Sequence, residues 1–283
     1  MSDPIGKEDY LEPRCLLDMT QQFGGQESGV KPVPLQRVIE KLDEYTRRRN
    51  FGGAKRHIEY WLAEARAVGD KRGEFSLLNE RMGFYRKQGR RAKAYESAEA
   101  ALALIGAVGA DSIGAGTCYV NCGTVYDNFE EPERALSMFE KAQEIYEREL
   151  PADDPRLGAL YNNMGLACAA LGRFGEADTL FRKALGVMEG VPADQAITWL
   201  NMCDTLAAER GESEAEEPIQ RYLESAARCL DDESAPRDGY YAFVCSKCAP
   251  GFDHYGWFAY AGELRERAER IYAALHGDRE SVL

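Results

Sequence analysis

Small, apolar and aromatic positions return along the chain at a period of about forty residues. Residues 161–185, YNNMGLACAALGRFGEADTLFRKAL, read as two helices joined at Gly172. Residues 119–142, YVNCGTVYDNFEEPERALSMFEKA, repeat them at an offset of 42, with Gly123 on Gly165, Ala135 on Ala177, Phe139 on Phe181 and Ala142 on Ala184. Residues 78–102 align Gly89 with Gly172 and Ala94 with Ala177, and residues 198–219 align Asn201 with Asn163. Weaker copies run through YTRRRNFGGAKRHIEYWL and CAPGFDHYGWFAYAGELRERA. Units beginning near residues 35, 75, 116, 158, 196 and 242 place Ala54, Ala94, Ala135, Ala177, Ala215 and Ala261 at one shared position, the twentieth. Each unit is predicted to be a helical hairpin. A single hairpin cannot bury its own apolar face, so the hairpins must stack.

The unit at 158 carries Gly165, Cys168, Ala177, Phe181 and Ala184, and the unit at 116 carries Gly123, Tyr126, Ala135, Phe139 and Ala142. This pattern resembles the tetratricopeptide repeat family, which has a small residue at position 8, an aromatic at 11, Ala at 20, an aromatic at 24 and Ala at 27. The units at 35, 196 and 242 are degenerate, with Trp61, Tyr222 and Arg265 off the pattern. The phrase LPADDPRLGALYNNMG is similar to the 42-residue variant of kinesin light chains, with Asp154 where that variant has His. The resemblance implies an all-α fold, a right-handed α-solenoid of about six hairpins over residues 35–275. Positions 8 and 20 are expected to face each other, with aromatics filling the gap to the next hairpin. Residues 1–34 are expected to form an irregular N-terminal arm with a short apolar run, and 276–283 a frayed tail. The arm could pack on the first unit or lie in the groove as a pseudo-ligand.

Asn162 and Asn163 stand side by side inside a predicted helix, although Asn is a mediocre helix former. In superhelices of this family the first helix of each unit lines the concave groove. Asn163, Asn121 and Asn201 share unit position 6; Asn162 and Asn79 hold position 5. A primary amide carries two donors and an acceptor, so a row of them can hold the backbone of an extended peptide. The other reading is that these amides are solvated or bond between neighbouring helices. Groove positions 12 and 13 of the first two units hold Thr46, Arg47, Arg86 and Lys87, with Arg90 and Arg91 in the following turn. Arg47, Arg86 and Lys87 are therefore candidates to anchor acidic groups or a free C-terminal carboxylate.

Charge sharpens this picture. The 283 residues carry a formal net charge of −13, which argues against nucleic acid and anionic membranes. Residues 31–100 nevertheless hold 17 Lys and Arg against 10 Asp and Glu, a net of +7. Self-association of basic and acidic ends is one consequence. The absence of any apolar run of membrane-spanning length excludes a transmembrane helix. The start MSDPIGKEDYLEP lacks the regions of a signal peptide, and eight scattered cysteines suit reduced thiols, so a cytoplasmic place is expected.

Catalytic signatures are absent. No GxSxG, GxxxxGK[ST] or GxGxxG occurs, and His57 and His276 are isolated. Cys245 and Cys248 form a CxxC with His254 nearby, but no second pair lies close, so packing is the reading and no metal or cofactor is expected. Asp153–Asp154 and Asp231–Asp232–Glu233 fall in predicted linkers, where Asp can cap the next helix. Trp257, Phe258 and Tyr260, preceded by Tyr240 and Tyr241, read as a cap under the last hairpin or as an exposed docking patch. The expected function is a non-catalytic scaffold binding a protein or peptide in its groove. The alternative is a peptide-sensing signalling regulator of bacterial type without a DNA-binding domain of its own.

Overall fold

The computed structural model describes residues 32–109 and 112–280, without the side chains of Arg47 and of residues 275–280. It contains twelve α-helices and, among the described residues, no strand: α1 (Leu35–Arg47), α2 (Phe51–Val68), α3 (Lys71–Arg86), α4 (Arg91–Val108), α5 (Ile113–Asn128), α6 (Pro132–Glu149), α7 (Pro155–Ala170), α8 (Phe174–Val187), α9 (Pro192–Arg210), α10 (Glu216–Asp231), α11 (Gly239–His254) and α12 (Phe258–Glu280). They pair in sequence as six hairpins. The additional residues of each unit lengthen the helices, most of which run 16 to 19 residues. α12 continues to Glu280, so residues 276–280, expected to fray, are helical. The N-terminal arm lies, for residues 1–31, outside the described residues.

Local chemistry fixes the helix ends. Asn50, Asp70, Ser112, Asp154 and Asp238 accept backbone N–H bonds as N-caps of α2, α3, α5, α7 and α11. Pro132, Pro155 and Pro192 open α6, α7 and α9, where a missing N–H costs nothing. Asp154 caps as its place in the sequence suggested. Asp231 and Asp232 do not cap α11, since Asp238 takes that role; Asp232 instead receives Ser234. Each turn inside a hairpin needs one residue of left-handed backbone to reverse the chain. Gly89, Gly172, Gly211 and Gly256 supply it in four hairpins, and Arg49 (φ 54°) and Glu130 (φ 62°) in the other two.

The described residues form two compact units, one within 32–150 and one within 151–280. Within residues 32–150, α1 and α3 touch, as do α3 and α5, while α2 packs on α3 and α4 on α5. Within 151–280, α7 touches α9, α9 touches α11, and α8 packs on α9. Odd-numbered helices thus form the layer that joins hairpins in each unit. All six alanines at unit position 20 are fully buried.

The space over the small residue at position 8 is filled by the aromatic at position 24. A Cβ on Gly165 would meet the ring of Phe181, and one on Gly123 the ring of Phe139. The aromatic at position 24 therefore fills its own hairpin, and glycine makes room for it. In α3/α4 the sizes are exchanged: Met82 holds position 8 and Ala98 position 24, both fully buried.

Two polar clusters bind hairpins together. Arg81 on α3 donates to Glu59 (2.9 Å), Ser97 (3.0 Å) and Glu96 (3.1 Å), and Tyr85 donates to Glu59 (2.8 Å). Arg267 on α12 reaches Asp231 on α10 (2.7 Å) and the Tyr241 hydroxyl on α11 (3.1 Å).

Candidate functional site

The asparagines lie where successive odd-numbered helices meet. On α3, Asn79 donates to the Phe75 carbonyl (3.0 Å), and its own oxygen accepts from Asn121 Nδ2 on α5 at 3.0 Å. In the second unit the arrangement recurs. Asn162 Oδ1 on α7 accepts from Asn201 Nδ2 on α9 at 2.9 Å and from Thr198 Oγ1 at 3.1 Å. In both units position 5 of one repeat supplies the oxygen and position 6 of the next supplies the nitrogen. Thr198 completes the second junction; its place three residues before Asn201 puts both on one helix face.

These amides are not a row displayed in an open channel. Asn79, Asn162, Asn163 and Asn201 are buried, Asn162 completely, and only Asn121 is half-buried. The helix-bridging alternative raised by the sequence describes Asn79, Asn121, Asn162 and Asn201. The physical reason is that two short amides at the helix contact satisfy each other, which hydrocarbon there could not do.

Two donors remain. Asn162 Nδ2 and Asn163 Nδ2 are buried and have no hydrogen-bond partner among the described residues. Buried amide nitrogens are nearly always bonded, and an orphan costs about 1–3 kcal/mol. Both lie on consecutive residues of α7.

The basic candidates separate. Arg86 is buried, with 1% of its surface exposed, rather than presented to solvent. Lys87 is exposed at the end of α3. Arg47 closes α1, and its side chain lies outside the described residues.

Other groups noted in the sequence are structural. Cys245 and Cys248 are buried in α11, and burial raises both thiols above their ordinary range. Among the described residues no three His, Cys, Asp or Glu side chains cluster to hold a metal. Trp257 donates to Gln220 (2.8 Å), and Tyr260 packs edge-on against Phe252. Tyr241 is buried, so this cluster closes the last hairpin, with Phe258 alone strongly exposed at 69%. A cleft of about 270 Å³ between α8, α9 and α10, lined by Asp178, Arg182 and Tyr222 among others, shares no residue with the asparagine set. No helix among the described residues is long and apolar enough to cross a membrane.

No curated protein matches the chain. Among solved structures it is similar to the nearly identical TPR-like repeats of a kinesin-light-chain-like protein from Podosopora anserina, with 17% identity, TM-score 0.48, and coverage of 70% of this chain and 94% of that one. It is also similar to BtubC (BKLC) from P. vanneervenii, with 18% identity, TM-score 0.48, and 87% and 93% coverage. A Rap protein complexed with competence and sporulation factor gives 16% identity, TM-score 0.49, and 84% and 74% coverage. Residues 74–148 and 129–190 match the tetratricopeptide repeat. Residues 74–190, the three hairpins from α3 to α8, therefore belong to the tetratricopeptide repeat family.

Proposed function

We propose that the chain is a non-catalytic, cytoplasmic scaffold that holds an extended protein or peptide segment against the odd-numbered helices of its hairpins. The observation that carries this reading is the pair of orphan amide nitrogens, Asn162 Nδ2 and Asn163 Nδ2, on consecutive residues of α7. Both nitrogens are enclosed in the free chain, so the reading requires binding to turn the Asn163 amide outward, where a carbonyl oxygen of an extended segment accepts from it with little demand on side-chain sequence. Asn201 acts with them by fixing the spacing of α7 and α9, and Asn79 and Asn121 do the same for α3 and α5 within the other unit. In the other unit Lys87 is exposed and, with Arg47 on α1, favours acidic groups or a terminal carboxylate on a segment held there, while the buried Arg86 adds positive charge behind them. Repeats of this family use such faces for binding rather than chemistry.

The test uses a peptide selected on the purified chain from a random-peptide display library. Its affinity is measured for wild type, Asn163→Leu and Lys87→Glu. Each hydrogen bond to the ligand is worth about 1 kcal/mol, so Asn163→Leu should weaken binding by roughly fivefold. Lys87→Glu should weaken binding only of acidic peptides. Unchanged affinity in Asn163→Leu, for every selected peptide, removes the amide-based docking mode.

A further inference from the structure

The turns inside the hairpins carry a second set of unmet charges. In residues 32–150, Arg48 and Arg49 in the α1/α2 turn, Lys55 and Arg56 early in α2, and Arg90 and Arg91 at the start of α4 are exposed. Glu44 pairs with Arg48 at 3.1 Å, and Glu131 pairs with Arg91. Arg49, Lys55, Arg56 and Arg90 form no ion pair among the described residues. In residues 151–280 the α9/α10 turn is the opposite: Glu209, Glu212, Glu214, Glu216 and Glu217 are exposed within nine residues. Arg210, His254 and Arg221 answer Glu209, Glu212 and Glu217. Glu214 and Glu216 form no ion pair among the described residues.

The chain already uses polar contacts between turns to register neighbouring hairpins, one of them an Arg–Glu ion pair. Arg91 reaches forward to Glu131 in the α5/α6 turn, and His254 at the end of α11 meets Glu212 in the α9/α10 turn at 3.0 Å. The same pairing is open to turns of different molecules. We infer that two copies of this chain associate, the basic α1/α2 and α3/α4 turns of one receiving the acidic α9/α10 turn of the other. Four unpaired cations against a five-glutamate turn give a complementary field that steers encounter and sets register. Because the two patches differ, the contact is heterologous and propagates unless a two-fold arrangement closes it. Nucleic acid is disfavoured as the occupant by the net charge of −13.

Sedimentation velocity of the purified full chain tests this, at about 30 mM and about 300 mM NaCl, where screening lengths are roughly 18 and 6 Å. Wild type should associate at the lower salt and dissociate at the higher. Arg49→Glu/Arg56→Glu/Arg90→Glu, and separately Glu212→Lys/Glu214→Lys/Glu216→Lys, should each sediment as monomers with unchanged helical circular dichroism. Mixing the two reversed variants should restore association, since one then carries two acidic patches and the other two basic ones. A wild type that stays monomeric at the lower salt overturns the inference. So does association retained in either reversed variant alone, or tight binding of a poly-glutamate peptide to the basic turns of a wild type that does not self-associate.

Discussion

Gly165 lies directly under the ring of Phe181: a Cβ added to it would stand 2.6 Å from Cε1 and 2.8 Å from Cδ1. No side chain other than hydrogen fits while that ring keeps its place. Gly165→Ala should therefore destabilise the second unit by about 1–3 kcal/mol through overpacking. The exchanged sizes of Met82 and Ala98 in α3/α4 show that one hairpin accommodates the opposite choice. Gly165→Met/Phe181→Ala should accordingly be more stable than Gly165→Met alone. Urea midpoints of the single and double variants read this directly; a double variant no better than the single would mean that the sizes do not compensate.

The repeat, the hairpins and the burial of all six alanines were legible because each rests on a periodic steric rule. What fills the space over the small residue was not. Sequence alignment puts Gly165 and Ala177 in register across repeats but carries no information that the ring of Phe181 lies over Gly165. The asparagines show the same limit more sharply. Their positions on the odd-numbered helices could be read from the period, yet a carboxamide that faces a ligand and one that faces the next helix leave identical traces in sequence. Only the 2.9 Å bond from Asn201 to Asn162 separates them. Arg86 was legible as a cation on α3, but its burial depends on how completely the neighbouring residues surround that helix. The contact of Asp194 with Tyr240 joins equivalent places two residues ahead of the units at 196 and 242, 46 residues apart, yet the period carries no sign that the two side chains there would bond.

Glu130 carries the α5/α6 turn at φ 62°, where four other hairpins use glycine. A side chain in left-handed backbone costs about 1–2 kcal/mol, and glycine returns part of that as unfolded-state entropy. Glu130→Gly should stabilise the first unit by roughly 0.5–1 kcal/mol. A higher thermal midpoint checks it, and a lower one would show that the Glu130 side chain contributes more than its backbone strain takes away.

Asn162 and Asn163 should respond oppositely to removal of their amides. Asn162→Ala strands the Asn201 donor and leaves the Thr198 hydroxyl only the Asp194 carbonyl at 3.4 Å, and leaving a buried polar group unpaired costs about 1–3 kcal/mol. A double-mutant cycle with Asn201→Ala should give a coupling of about 1 kcal/mol, as contacting residues do. Asn163→Leu removes an orphan nitrogen instead and should leave stability unchanged or raised. Loss of peptide affinity in Asn163→Leu with retained stability would assign that amide to the ligand. A large loss of stability in Asn163→Leu would assign it to the core.

Asp194 on α9 is buried, and burial raises its carboxyl above the ordinary range, with the hydroxyl of Tyr240 on α11 acting in the opposite sense. A raised folded-state value means that the native state holds the proton more tightly than the unfolded chain. The resulting stability is present at low pH and is lost as pH rises through the folded value. At pH 7 the unfolded chain has released this proton, and burial makes releasing it in the folded chain a net cost. Asp194→Asn keeps an acceptor for Tyr240 and removes the charge, so it should raise the thermal midpoint at neutral pH. The gain should shrink toward zero as the solution is acidified below the ordinary carboxylate range. A variant less stable than wild type at pH 7 would mean that the charged bond to Tyr240 outweighs burial.

Tyr85 offers the corresponding experiment in alkali. Burial first, and then its 2.8 Å bond to Glu59, push its hydroxyl from an ordinary 10 up to about 12. The unfolded chain releases this proton near pH 10 while the folded chain retains it. Tyr85 therefore contributes stability that is complete below pH 10 and disappears between 10 and about 12. Tyr85→Phe should lose about 1–2 kcal/mol at neutral pH, since a bond to a carboxylate is removed. It should also show a shallower decline of the urea midpoint across that alkaline window. Arg81 remains on Glu59 at 2.9 Å in the variant, so the carboxylate is not left alone and the first three hairpins should still fold. If the alkaline decline of Tyr85→Phe matches that of wild type, the proton lost in that window belongs to another tyrosine and the Glu59–Tyr85 bond does not govern it.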